Sequence, residues 1–145
     1  MNKRRLGRTD IEISPIGLGC WQFSYSPLAQ GLLSGRIHEN PALVRSLPAG
    51  RRSRLSPASR GFTPGSLART TPLVEELRTI GKSHGASASQ VAVAWLVTYY
   101  GDTVVAIPGA SRPEQARECA AAMSLRLTEA EMARIEESSA RIARL

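Results

Sequence analysis

The spacing of apolar residues changes several times along this chain, and each change predicts a different element. Near the start, Ile11 and Ile13 flank Glu12, and Arg4-Arg5-Leu6 precedes them across a turn at residues 7–10. This alternation predicts a short β-hairpin over residues 3–14. Ile16 to Trp21 is a compact apolar run with two glycines, suited to a strand of a buried parallel sheet. From Tyr25 to Thr71 turn-forming residues dominate and no helical period is sustained, so this stretch reads as a long irregular loop. Thr71-Pro72 then offers an N-cap followed by proline at the first helical position. Leu73, Leu77 and Ile80 fall on one face of that helix, and Gly81 and Gly85 mark its fraying end.

Ser87-Ala88-Ser89-Gln90 is a capping box opening a second helix, running from Gln90 to about Tyr100. Its body, Val91 to Val97, is apolar nearly all round, which predicts burial on most sides. Thr103-Val104-Val105-Ala106-Ile107 is a β-rich run ended by Pro108-Gly109. Arg112 to Met123 is alanine-rich and helical, with Pro113 in its first turn. Thr128 to Glu131 forms another capping box, and Met132, Ile135 and Ile142 continue a final amphipathic helix. The order is hairpin, strand, long loop, helix, helix, strand, helix, helix. Helix-strand alternation of this kind belongs to parallel α/β architecture.

Length fixes the scale of this picture. A chain of 145 residues fits one domain, whereas a complete eight-stranded α/β barrel needs about 250. No apolar run approaches the roughly 20 residues that span a membrane, and the basic N-terminus leads into no apolar signal region. Cys20 and Cys119 are too few and too unpatterned for a disulfide framework or a metal site, which points to a reducing, cytoplasmic compartment. The net charge of +7 is concentrated between Arg36 and Arg69, where seven arginines face the single acid Glu39. Such a stripe can attract nucleic acid. With four prolines and only Phe62 for stacking, it reads instead as a solvated loop near a phosphate-bearing ligand.

Two segments are suited to phosphates. Ser26 to Gly31 supplies a hydroxyl, small residues and backbone N–H groups that can wrap an anion. Ile107 to Gln115 runs from a strand into a helix N-terminus, where free N–H groups favour an anion and Arg112 adds a fixed charge.

Leu6-Gly7-Arg8-Thr9-Asp10, Ser14 to Trp21, Tyr25-Ser26-Pro27-Leu28 and Val105 to Arg112 together resemble the aldo/keto reductase family. The resemblance implies a partial (β/α)8 barrel, with residues 1–24 as the hairpin and first strand. Residues 25–71 are then the cofactor and Arg-rich loops, and 72–145 the C-terminal α/β part. It also implies an internal deletion at Ser24–Tyr25, which joins the first barrel strand to the loop after the seventh. NADP(H) is the implied cofactor. Trp21, Tyr25, Ser26, Leu28 and Gly31 stand at positions for the nicotinamide and pyrophosphate. Gly109, Ala110, Ser111 and Arg112 stand at the adenosine 2′-phosphate loop, and Gln115 and Glu118 at positions touching adenosine. Two departures are Cys119, where the family often has Asn, and Cys20, where Thr is common.

The family reduces carbonyls with a Tyr general acid tuned by Lys and Asp and a substrate-orienting His, and the segments carrying them are absent between residues 24 and 25. Lys82 and His84 read as solvated, Tyr99 and Tyr100 as packing residues, and Tyr25 as a stacking platform. No catalytic residue is assigned. The resulting expectation is an oxidoreductase by descent that retains dinucleotide affinity, alone, as a homo-oligomer or beside a complementing reductase chain. The alternative is a non-catalytic interaction or regulatory protein that binds a partner through exposed barrel edges or the Arg-rich loop.

Overall fold

A computed structural model describes residues 3–5, 8–13, 28–46, 62–101 and 104–143. The predicted hairpin is present. β1 (Arg4–Arg5) pairs antiparallel with β2 (Glu12–Ile13), placing Arg5 opposite Glu12. Lys3–Glu12 and Arg5–Asp10 ion pairs at 3.9 and 4.0 Å cross it in the open, where such pairs contribute little. The expected strand over residues 16–21 and the Ser24–Tyr25 junction lie outside the described residues.

The segment read as loop is partly helical. A 3-10 turn (Ala29–Ser34) leads through Gly35 into α1 (Arg36–Glu39), and α2 (Leu43–Ser46) follows. These turns are too short for a sustained period in sequence, and burial selects them. Leu32 and Ile37 meet Leu67 in a small apolar cluster, with Val44 and Phe62 against it.

The next helix starts two turns before the predicted point. α3 (Pro64–His84) is capped by Thr63, whose Oγ1 accepts the Ser66 N–H at 3.1 Å, with Pro64 at the first position. Thr-Pro occurs twice, at 63–64 and 71–72, and only the first is a boundary. At the second, the Thr71 hydroxyl donates back to the Leu67 carbonyl at 2.8 Å, and Thr70 does the same to Ser66 at 2.9 Å. Pro72 therefore stands inside the helix, where its missing N–H leaves only the carbonyl of the exposed Ala68 without its usual donor. The apolar period also runs back through Leu67 and Thr70, so burial carries the helix past the proline.

α4 (Ala88–Tyr99) opens on the predicted capping box: Gln90 N–H donates to Ser87 Oγ, and Ser87 N–H to Gln90 Oε1 at 2.9 Å. It is buried on two sides. Ala88, Val91 and Ala92 meet Leu73, Leu77 and Ile80 of α3 and Ile135 of α6 (Glu129–Ala143). Val93 and Val97 face Ala106 and Ala122 instead. Burying these side chains supplies about 1.5–3 kcal/mol for each large one, the main force holding the helices together. Trp95 Nε1–H donates to the Met132 carbonyl at 3.3 Å, Arg134 pairs with Glu76, and His84 Nε2 lies 2.8 Å from Glu131. His84 thus bridges α3 to the Thr128–Glu131 cap of α6 rather than being merely solvated. Tyr99 stacks on Trp95 with ring centroids 4.7 Å apart, yet it and Tyr100 remain half exposed.

α5 (Pro113–Ala121) and a 3-10 turn (Ala122–Ser124) occupy the predicted alanine-rich stretch. Of the expected strand over residues 103–107, residue 103 lies outside the described ones, and among residues 104–107 only Ala106 makes a β-bridge. A buried parallel strand needs hydrogen-bonding neighbours on its edges, and β1–β2 is the only sheet among the described residues. The parallel sheet of a partial barrel is therefore not seen there, and the chain is helix-rich. No helix among the described residues is long and apolar enough to cross a membrane.

Candidate functional site: a cleft lined by two guanidinium groups

Three parts of the chain wall one cleft of about 340 Å³. They are the segment carrying Leu28 and Arg36, the face of α4 carrying Ser89, Gln90 and Val93, and the Gly109–Cys119 stretch. From the last come Gly109, Arg112, Glu114, Gln115, Glu118 and Cys119. The volume is at the lower end for small-molecule sites, suited to part of a dinucleotide rather than all of it.

Leu28 and Val93 give the cleft an apolar floor, since both also pack against the core. Arg36 and Arg112 supply its positive charge. Among the described residues no carboxylate pairs with either guanidinium, whereas Arg78, Arg117, Arg134 and Arg141 are all paired. A guanidinium free of internal partners keeps all five donors for a ligand anion. Glu114 and Glu118 lie along α5, where a carboxylate accepts from hydroxyl or amino groups but repels phosphate.

The N-terminus of α5 differs from the sequence expectation. Gln115 Oε1 accepts the Ser111 N–H at 2.8 Å, the Ser111 hydroxyl at 3.1 Å and the Arg112 N–H at 3.2 Å. The backbone donors expected to hold an anion are thus held by a side-chain carbonyl. Gln115 presents only its Nε2 amide end to a ligand. Burial pushes the Cys119 thiol above its ordinary range, with Glu118 adding to the effect, so the sulfur is a protonated thiol at neutral pH.

Of the residues singled out by sequence, Leu28, Gly109, Arg112, Gln115, Glu118 and Cys119 line the cleft together. Ala110 and Ser111 are exposed and do not line it. Gly31 does not line it either, and its N–H donates to the Leu28 carbonyl at 2.9 Å in the 3-10 turn. Trp21, Tyr25 and Ser26 lie outside the described residues. Sequence reading missed Ser89, Gln90, Val93 and Glu114, and saw Arg36 only as one of seven arginines. The capping-box residues carried no sign of a second use, because the cleft wall exists only once α4 lies beside α5. No group of three or more His, Cys, Asp or Glu among the described residues is placed to hold a metal ion.

Two guanidinium groups with no carboxylate partner among the described residues, set beside an apolar floor at the start of α5, give the cleft a positive charge suited to an anion. Residues 17–140 match the aldo/keto reductase family profile, and the chain belongs to that family. It is 42% identical over 107 residues to an uncharacterized oxidoreductase of Mycobacterium tuberculosis, a match covering 72% of this chain and 29% of the relative. An aldo-keto reductase of Strobilurus tenacellus is 30% identical, over 83% of this chain and 33% of its own. The chloroplastic pyridoxal reductase of Arabidopsis thaliana is 32% identical, over 90% and 32%. The chain spans about a third of the length of these curated relatives.

Proposed function

We propose that this chain binds NADP(H) through the adenosine 2′-phosphate end, as a cytoplasmic, internally deleted piece of a carbonyl-reducing barrel. The observation that carries the reading is the convergence of Leu28 with Gly109, Arg112, Gln115, Glu118 and Cys119 around one cleft, with neither Arg36 nor Arg112 paired to a carboxylate among the described residues. Leu28 and Gly109, 81 positions apart in sequence, share this wall, which is the arrangement a cofactor spanning both segments requires. When bound, NADPH supplies a hydride donor. The chain's own contribution is to grip the phosphate with Arg112 and Arg36 and seat the base on Leu28 and Val93.

Reduction also needs a proton donor within hydrogen-bond reach of the carbonyl. Lys82 and His84 close α3, away from the cleft lining, and Tyr99 stacks on Trp95. The proposal is therefore binding without turnover. Fluorescence titration should show NADPH binding about tenfold tighter than NADH, the size of one charge-assisted phosphate contact. Arg112→Gln should remove most of that difference. Equal affinities for NADPH and NADH would sink the 2′-phosphate assignment, and carbonyl-dependent NADPH oxidation by the purified chain would overturn the loss of activity. Turnover that appears only on adding a reductase chain with an intact proton donor would indicate a complementing partner.

A further inference from the structure

Arg36 reaches the cleft from a helix of four residues, too short to hold its own orientation. Something outside that helix must fix it. The joint before it is Gly35, buried and in the left-handed region at φ +78°, which ends the 3-10 turn and starts α1. Its carbonyl accepts the Glu39 N–H at 3.1 Å and, from α3, Arg78 Nη2 at 3.0 Å. The same Arg78 pairs with Glu39, and its Nη1 lies 2.9 Å from Glu75. One guanidinium on the longest helix thus binds both ends of α1, and Glu75 on its own helix fixes the guanidinium.

We infer that Arg78 is a positioning residue: it clamps the Gly35 carbonyl and Glu39, and so holds the Leu28–Arg36 wall of the cleft in its ligand-gripping orientation. This rests on the cofactor reading given above. The Gly35 carbonyl and the Arg36 N–H belong to one rigid peptide plane, so fixing the first orients the residue that follows. Among the described residues the wall is also tied by apolar contacts, Leu32 and Ile37 with Leu67 and Leu28 and Leu33 against the α3–α4 cluster, and by the 2.9 Å contact of His38 Nε2 with Thr70. Hydrophobic contacts are non-directional and do not set the angle of α1. Gly35 records the clamp: a Cβ there would lie 2.6 Å from Arg78 Nη2.

Three variants separate this from simple charge loss. Arg78→Met removes the clamp and the charge, Arg78→Lys keeps the charge but not the fork, and Glu39→Ala keeps Arg78 but takes away one of the two groups it grips on α1. Hydrogen exchange of the full chain is measured over residues 29–39 and, as reference, 88–99, together with NADPH affinity. The expected result is faster exchange confined to residues 29–39 in Arg78→Met and Glu39→Ala, and about tenfold weaker NADPH binding in both, the value of one charge-assisted contact. Arg78→Lys should fall between these and wild type. Unchanged exchange over 29–39, exchange rising equally over 88–99, or unaltered affinity despite a loosened segment each overturns the inference. Full rescue by Arg78→Lys does so too, since charge alone would then suffice. Wild-type protein that leaves NADPH unbound refutes the cofactor reading, and the exchange contrast then upholds or overturns the clamp by itself.

Discussion

Gly81→Ala is expected to destabilise this protein, although helix propensity taken alone gives the opposite sign. Gly81 lies inside the last turn of α3, and replacing an interior helical glycine by alanine ordinarily gains up to about 1 kcal/mol. Here an added Cβ would stand 2.5 Å from the Ala86 carbonyl oxygen, nearer than carbon and oxygen approach without one moving. The obstacle is backbone, so no side-chain rotation relieves it. Nor is that backbone free: the Ala86 N–H donates to the Gly81 carbonyl at 2.8 Å, and the next residue, Ser87, caps α4. Overpacking costs about 1–3 kcal/mol, and a weakened hydrogen bond about 1 more. Set against the propensity gain, the net is a loss of about 1–3 kcal/mol. At about 2–4 °C per kcal/mol for a domain near this size, Tm falls by several degrees. Gly65→Ala is the control, because nothing lies within 4 Å of its added Cβ and its helical backbone is relaxed. It should raise Tm slightly. Circular dichroism melts of the two variants decide the matter: a Gly81→Ala protein as stable as Gly65→Ala would refute the close-approach argument.

Two further outcomes follow from the same core. Leu77 is 1% exposed between α3, α4 and α6, so Leu77→Ala should cost about 3–5 kcal/mol, read as a lower urea midpoint. His38 supplies a pH dependence. The Thr70 hydroxyl donates to the Ser66 carbonyl, so it accepts from His38 Nε2–H, and the buried His38 Nδ1 is left without a partner among the described residues. Burial, and then Arg78, hold its pKa below the ordinary 6.5, with Glu75 and then the Leu67 backbone opposing. The unfolded chain therefore binds the proton more readily, so this stabilisation is fully present above 6.5 and is lost as pH falls through that value toward the folded one. His38→Gln retains a donor to Thr70 and cannot titrate. Urea midpoints across this window should flatten in that variant, and an unaltered slope would remove His38 from the account. Glu131, held below its ordinary 4.5 chiefly by the Thr128 N–H and then by its bonds to His84 and the Thr128 hydroxyl, loses its contribution only at lower pH.

Much of the helical architecture was legible in the chain. Ser87 and Gln90, Thr128 and Glu131, and the all-round apolar run from Val91 to Val97 each announce an element by local chemistry, and each element formed where read. Local chemistry failed at Thr71-Pro72, where a cap signature sits inside α3. Caps and prolines describe what one turn of backbone prefers, while burial of Leu67, Leu73 and Leu77 on one face rewards continuity over several turns. It fell short again at residues 104–107, whose β-branched residues prefer an extended chain, since a strand also needs a neighbouring edge and only Ala106 is bridged there.

The cleft shows the same division. Sequence by itself determined the family, and it singled out two loops as candidates for a phosphate, because glycine, proline and arginine at fixed offsets carry their chemistry with them. It could not show that the Gln115 carbonyl takes the very N–H groups reserved for an anion, or that Arg36 alone of the Arg36–Arg69 stripe reaches the wall opposite Arg112 among the described residues. Nor could it show that Arg78, an ordinary exposed-face arginine by its spacing, grips the joint that aims Arg36. Those are distances between residues tens of positions apart. They come into being only when the apolar faces of α3, α4 and α6 close on one another and bring the segments they carry to a common surface.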